Sequence, residues 1–331
     1  MSCDKVALLK EKGIGLVMTI FENYYEKDAW TLKSINEKAT REPKEFISYI
    51  EGTFKKQIKE TVDLIERRQP ECKILMLAGP SSSGKTTTAT MLKDELNRRN
   101  IWTTMISLDD FYVGVAKLPL LEDGSKDFES IKGLDMEQLK KAIKGIVYDG
   151  FCDMPTYDFS RMAPSTQRKQ IKVPENGIII IEGIHALNPV ITEDLPSESV
   201  FKIYVSVENG VELDDGSVLS STEIRMTRRV LRDFYFRDTL PGRTVMMWSN
   251  VCRGEELYIK PFKGESDVAI NSFHAYEVGV MASQMINACA FVPTDVDIYD
   301  AVQDLRIKLS KFSSIDNALV PKTSLLKEFI R

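Results

Sequence analysis

KILMLAGPSSSGKTT, residues 73–87, opens as an apolar run and breaks abruptly into glycine, proline and serine. Residues 79–86 fit the spacing G-x-x-x-x-G-K-[ST]. Gly79 and Gly84 let the backbone turn so that successive N–H groups, across Ser81, Ser82 and Ser83 to Thr87, point into one concavity. Those amides and the N-terminus of the next helix make a cradle for phosphate oxygens. Lys85 adds a point charge for the outer phosphates, and the Thr86 hydroxyl suits a magnesium ion. A hydrophobic strand precedes the loop, and a helix marked by Met91, Leu92 and Leu96 follows it, as that mechanism demands. A chance glycine–serine turn would need neither neighbour. The stretch therefore predicts an ATP-binding loop, with Mg2+ as cofactor.

Working outward, residues 101–108, 178–181, 201–207 and 267–271 are further strand candidates. Ile178 to Ile181 are four consecutive isoleucines, which suits a strand buried on both faces of a parallel sheet. Helical patterns at residues 136–147 and 222–236 lie between strands. Such alternation predicts an α/β fold of the P-loop NTPase type, a mostly parallel sheet flanked by helices. Residues 1–70 predict a helical N-terminal extension. Val6, Leu9, Gly13, Leu16 and Ile20 fall near helical spacing, and Phe46, Ile50, Phe54, Ile58, Val62 and Ile65 repeat every three to four residues. Pro43 suits the first turn of the second run, and Pro70 lies just past its end. The expected division is this extension and a P-loop domain over residues 71–331.

The chain has 331 residues, which at about 150 per domain leaves room for roughly two domains. With 43% hydrophobic and 28% charged residues it is neither a disordered chain, a collagen-like repeat nor a small disulfide scaffold. A net charge of −5 disfavours duplex nucleic acid as a partner, because backbone binding needs clustered Lys and Arg. Cys3, Cys72, Cys152, Cys252 and Cys289 are widely spread with no CxxC pair, the pattern of reduced, mostly buried thiols. The apolar run at residues 14–21 is too short to span a bilayer. No signal peptide is evident. A cytoplasmic protein with no membrane or nucleic-acid partner is expected.

Phosphoryl transfer needs carboxylates, to hold magnesium and to accept the attacking hydroxyl's proton. Asp109 and Asp110 end the strand candidate at residues 101–108, and Glu182 ends the isoleucine strand. Ligands of open parallel sheets collect beyond the carboxyl ends of strands, so these side chains are expected to face the phosphate loop. His185 lies close behind, either touching phosphate or capping the next segment, and His274 reads as structural. Arg225, Arg228, Arg229 and Arg232 share one broad helical face, with Arg237 beyond. A lid over residues 220–245, closing on ATP phosphates, would satisfy this charge and exclude water. The alternative is a solvated face paired with Glu223 and Asp233.

The pieces AGPSSSGKTT, ISLDDFYV, KDFESIKGLD, PTYDFS, IIIIEGIHALNP, RRVLRDFYFRD and PFKGESDVAIN follow one another between residues 73 and 271. In this order they resemble the uridine kinase and phosphoribulokinase family of P-loop kinases. The nearest likeness is to a bacterial-type uridine kinase-like branch, whose C-terminus the tail LVPKTSLLKEFIR also resembles. Members of that branch often carry a threonyl-tRNA synthetase-like N-terminal region, for which residues 1–70 are too short. The resemblance implies ATP- and Mg2+-dependent transfer to a hydroxyl of a nucleoside such as uridine, the 5′-hydroxyl first. It implies that Lys85 and Thr86 bind phosphate and metal, that Asp109 is the base near magnesium, and that Glu182 is a magnesium-associated carboxylate. Asp110, Tyr112, Phe128, Glu129, Tyr157 and Phe159 would surround the acceptor, with Glu129 where the family uses an Asp on the ribose hydroxyls. Arg229 would reach the acceptor side, and Arg232 and Arg237 match lid arginines near the phosphates. The family's base-reading His and Gln are replaced by Met162 and Met247. A kinase of a sugar or sugar phosphate is the second reading, with Arg161 and Arg168 as its anion site. A non-catalytic nucleotide-binding regulatory module is the third. Relatives are often oligomeric, and the N-terminal helices offer a surface for a homo-oligomer.

Overall fold

The computed structural model describes Met18–Thr19 and residues 30–331 apart from residue 123. The main sheet is built from β1 (Met18–Thr19), β2 (Ile74–Ala78), β3 (Thr103–Ser107), β6 (Ile178–Glu182), β7 (Val200–Ser206) and β8 (Val268–Asn271). Its order is β1-β8-β7-β2-β6-β3, and every neighbouring pair is parallel. The strand candidates at residues 101–108, 178–181, 201–207 and 267–271, with the run before the loop, are the core of this sheet. β2 is buried along its whole length, as are the four isoleucines of β6. Because all strands run one way, their carboxyl ends share one edge. Glu182 lies in register with both Leu77 and Ser107, so β2, β6 and β3 end level.

β4 (Phe151–Asp158) and β5 (Ala163–Lys172) form a separate antiparallel hairpin. Nothing in the sequence pattern announces it, because β5 is largely exposed and so shows no alternation of apolar and polar residues. Its tip brings the PTYDFS segment over the edge where the parallel strands end.

Helices cover both faces: α1 (Leu32–Arg41), α2 (Pro43–Glu66), α3 (Lys85–Arg98), α4 (Met136–Lys144), α5 (Ser221–Phe236), α6 (Pro241–Met246), α7 (Trp248–Tyr258), α8 (Glu277–Cys289) and α9 (Tyr299–Leu309). Pro43 starts α2 at its first turn. The apolar stripe of α2, Phe46 through Ile65, is 0–3% exposed and packs in one cluster with Leu75, Leu77 and Phe201 of the sheet. Each such side chain contributes about 1.5–3 kcal/mol of burial. Gln57 on α2 makes two buried hydrogen bonds with the main chain of Asn271 at the end of β8. The helix is thus an integral layer on the sheet. Met18–Thr19 is a strand, not the helix expected across residues 6–20, because the edge of β8 offers it a main-chain ladder. The rest of that expected helix, and Cys3, lie outside the described residues. Cys72, Cys152, Cys252 and Cys289 are free thiols. Among the described residues no helix is long and apolar enough to cross a membrane.

Candidate active site

The loop between β2 and α3 takes its shape from close packing. A Cβ on Gly79 would lie 1.9 Å from the carbonyl oxygen of Val205, so only glycine lets the loop leave β2 beside β7. Ser82 and Gly84 both adopt positive φ, 58° and 84°, and turn the chain into a concave nest before α3 begins at Lys85. The hydroxyls of Ser82 and Ser83 are buried without a hydrogen-bond partner among the described residues. Buried polar groups are ordinarily satisfied, so this loop is built around a ligand rich in acceptors, as a polyphosphate is.

Beside the loop opens a cavity of about 360 Å³. Its phosphate end is lined by Ser81, Ser82, Gly84, Lys85 and Thr86, and its carboxylates are Asp109, Glu129, Glu182 and Glu328. Arg232 and Arg237 close one side. The far end is aromatic and apolar: Tyr112, Leu118, Phe128, Tyr157, Phe159 and Met162. Tyr157 stacks edge-on against both Tyr112 and Phe159, with ring centroids 6.4 and 5.1 Å apart. Larger hollows elsewhere are open clefts between paired surface charges, one of them holding the Arg68–Asp267 bridge.

Burial lowers the pKa of Lys85, while Glu182 and Glu328 pull it back up. Its Nζ donates to the carbonyl of Pro80 at 3.1 Å. Desolvation by the cavity walls raises the pKa of Asp109, and Lys85 and Arg237 oppose the rise. Glu182 is likewise raised by burial and is held by Ser107 Oγ, which donates to it at 3.0 Å. Thr86, Glu182 and Asp109 thus surround one end of the loop, and this donor set fits a hydrated magnesium ion carried on a nucleotide. Among the described residues no three His, Cys, Asp or Glu side chains converge to hold a metal by themselves. Such an ion would depend on the phosphates for its remaining ligands.

Glu129 also lines the cavity, its pKa raised by burial and held down by Arg229. Gly254 of α7 makes room for it, since a Cβ there would lie 2.4 Å from Glu129 Cβ. Asp110 does not line the cavity. It accepts the main-chain N–H of Tyr157 at 3.2 Å and so fixes the hairpin tip. Thr87, Ser83 and Gly79 shape the loop from outside the cavity. Met247 is also away from the cavity, at the junction of α6 and α7. Arg161 and Arg168 do not reach it, and Arg168 pairs with Asp153 within the hairpin.

The basic helix α5 divides its arginines between two tasks. Arg225 and Arg228 are buried, against Glu255 at 2.6 Å and Glu277 at 2.6 Å. Both also donate to the loop, Arg225 to the carbonyl of Ser81 and Arg228 to that of Ser82, each at 3.3 Å. They brace the loop from behind and are not free to close on phosphates. Arg229 donates to Ser81 Oγ at 2.6 Å. Arg232 and Arg237 alone reach the cavity. The expected pairing with Asp233 is present, to Arg232 at 2.8 Å, Arg229 at 3.6 Å and Arg237 at 3.7 Å, whereas Glu223 caps α5 and binds Lys308.

His185 is buried behind Glu129, 6.1 Å from the Tyr258 ring, and burial lowers its pKa to about 4. It does not face the cavity. His274 is fully buried, its Nδ1 2.9 Å from the carbonyl of Ser272. Glu328 is the residue the sequence pattern did not single out.

The phosphoribulokinase / uridine kinase family model matches residues 74–278. Uridine-cytidine kinase C of Dictyostelium discoideum is 25% identical over 208 residues, 63% of this chain and 38% of that protein. Uridine kinase-like protein 4 of Arabidopsis thaliana is 24% identical over 67% of this chain and 43% of its own length. The chain therefore spans about two fifths of the length of these two relatives. The uridine kinase of Lactobacillus johnsonii is 29% identical over 60% of this chain and 90% of its own. A solved structure described as a possible uridine kinase from Bacillus stearothermophilus is 17% identical, with a TM-score of 0.43 over 65% of this chain and all of that one.

Proposed function

Since the chain belongs to the phosphoribulokinase / uridine kinase family, and so is an ATP-dependent kinase of a nucleoside- or sugar-type small molecule, we propose that its acceptor is a nucleoside phosphorylated on the 5′-hydroxyl. The observation that carries this is one continuous cavity joining Lys85 and Asp109 to the aromatic wall of Tyr157 and Phe159. A sugar alone has no flat ring to stack there, and the phosphate of a sugar phosphate would meet the Glu129 carboxylate.

In this scheme Glu129 accepts the ribose hydroxyls and turns the 5′-oxygen toward the loop. Asp109 takes the proton as that oxygen attacks the γ-phosphorus and the bond to the β,γ-bridging oxygen breaks. Lys85, Arg232 and Arg237 hold the charge on the transferred group, in a site the arginines shield from water. Magnesium, held by Thr86 with Glu182 and Asp109 nearby, would neutralise the outer phosphates when bound. Met162, apolar at the base end, favours recognition of the base by stacking rather than by a specific hydrogen bond.

ADP release from ATP and magnesium, measured against ribonucleosides, deoxynucleosides, pentoses and sugar phosphates, tests the proposal. Stimulation by a nucleoside, absent in Lys85→Ala and Asp109→Asn, is expected. Stimulation by sugar phosphates alone would overturn the acceptor assignment.

A further inference from the structure

We infer that Glu328, near the end of the chain, is a donor-side specificity residue whose carboxylate receives the ribose hydroxyls of the phosphate donor, so that the protein prefers a ribonucleotide to its deoxy counterparts. The inference rests on the kinase function proposed above.

The tail, residues 324–331, returns across the phosphate loop. Leu325 lies directly over Gly84, close enough that a Cβ there would be 2.5 Å from its Cδ1. One turn on, Glu328 Oε2 accepts the hydroxyl proton of Thr87 at 2.8 Å, and Glu328 forms part of the cavity wall. Position along the loop gives this contact its meaning. Lys85 and Thr86 address the outer phosphates and the metal, while the loop amides hold the inner ones. Thr87 stands one residue further into α3, on the side where the inner phosphate and its sugar must leave the loop.

Glu328 is held in place and cannot be swept aside by a ligand. Leu325, Leu326 and Phe329 are fully buried, and Ile330 is 1% exposed. The guanidinium of Arg228 sits over the Phe329 ring at 5.2 Å, and Ser324 Oγ lies 3.0 Å from the hydroxyl of Tyr276. Lifting the tail would uncover four large apolar side chains and the buried Arg228–Glu277 pair.

Lys85 and Arg237 lie within electrostatic reach of Glu328 and offset part of its charge, but neither donates a hydrogen bond to it among the described residues, so a donor on the ligand is free to do so. Glu328 Oε1 has no hydrogen bond or ion pair among the described residues. Among the described residues Glu328 forms no convergent metal-binding group with Asp109 or Glu182. The donor's phosphates carry only acceptors, and its ribose carries vicinal hydroxyls that a carboxylate can accept together.

The test is equilibrium binding of ADP, 2′-deoxy-ADP, 3′-deoxy-ADP and pyrophosphate to the full chain with magnesium, followed by calorimetry. The wild type is expected to bind ADP about tenfold more tightly than either deoxy analogue, the size of a hydrogen bond to a charged group. Glu328→Ala is expected to weaken ADP alone and bring all three nucleotides within about twofold. Glu328→Gln, which keeps an acceptor oxygen and the tail's shape, is expected to retain part of the preference, and it serves if the alanine variant does not fold. Equal binding of ADP and its deoxy analogues by the wild type would overturn the inference and leave the kinase function standing. Equal weakening of all four ligands in Glu328→Ala would overturn it too, by assigning the carboxylate to phosphate or metal. Failure of the wild type to bind ADP at all would defeat the kinase function along with it.

Discussion

Removing the charge of Arg228 should unfold the phosphate loop from behind. Both members of the Arg228–Glu277 pair are 0% exposed, with Arg228 Nε donating to Glu277 at 2.6 Å and Nη2 at 2.8 Å. Arg228 also donates to the carbonyls of Ser272 at 2.7 Å and Ser82 at 3.3 Å. Breaking a buried pair by deleting one partner leaves an uncompensated charge and costs about 3–5 kcal/mol. Arg228→Met keeps the apolar volume under Phe329 while leaving Glu277 unpaired, and Glu277→Gln leaves the guanidinium unbalanced instead. At a urea dependence of about 3 kcal/mol/M, either loss moves the unfolding midpoint down by about 1–1.7 M. Tryptophan fluorescence in a urea series would follow it. Nucleotide affinity should fall in the same variants, since Ser82 loses its brace. Arg237→Ala, whose side chain is 59% exposed, is expected to lower turnover with the midpoint unmoved. Midpoints within about 0.3 M of wild type for both Arg228→Met and Glu277→Gln would refute the division of α5 into bracing and cavity-facing arginines.

Asp109→Asn, which keeps the shape of the proposed base, is expected to lower kcat by about 10²–10⁴-fold with the KM for ATP little changed; initial-rate kinetics check this, and a change in KM alone would assign Asp109 to binding. Gly254→Ala places a methyl 2.4 Å from Glu129 Cβ. It should raise the KM for the acceptor about tenfold, the cost of one misplaced charged hydrogen bond, while leaving ADP affinity intact. His185 has a folded pKa lowered from 6.5 to about 4 by burial. The unfolded chain therefore takes up the proton first, and stability contributed above about pH 6.5 is lost as the pH falls toward 4, by up to about 3 kcal/mol. His185→Phe should flatten that part of the urea-midpoint profile, and an unchanged slope would show that His185 is not the group responsible.

The parts of this site that were legible in the sequence are those whose geometry is local. A glycine spacing, a strand before it and a helix after it specify a phosphate loop within fifteen residues. Two of the parallel strand candidates run into a visible acid, so Asp109 and Glu182 could be placed at the same edge before any tertiary contact was known. The arginines were harder because a guanidinium in a helix says nothing about its partner. Arg225 and Arg228 look the same in sequence as Arg232, and only Glu255 and Glu277, 30 and 49 residues onward, turn them into buried braces. Asp110 beside Asp109 was indistinguishable by pattern too, yet the hairpin tip claims it through the amide of Tyr157. That hairpin left no periodic signal because neither face of β5 is buried. Glu328 is the extreme case. It meets Thr87 across 241 residues of chain, and in the sequence it is one acid in a short tail of mixed residues. What makes it part of the site is the burial of Leu325, Leu326 and Phe329 around it, a packing decision that the tail's apolar spacing permits but does not address. Local chemistry thus announced the phosphate end of the cavity, while long-range packing chose which charges would face it.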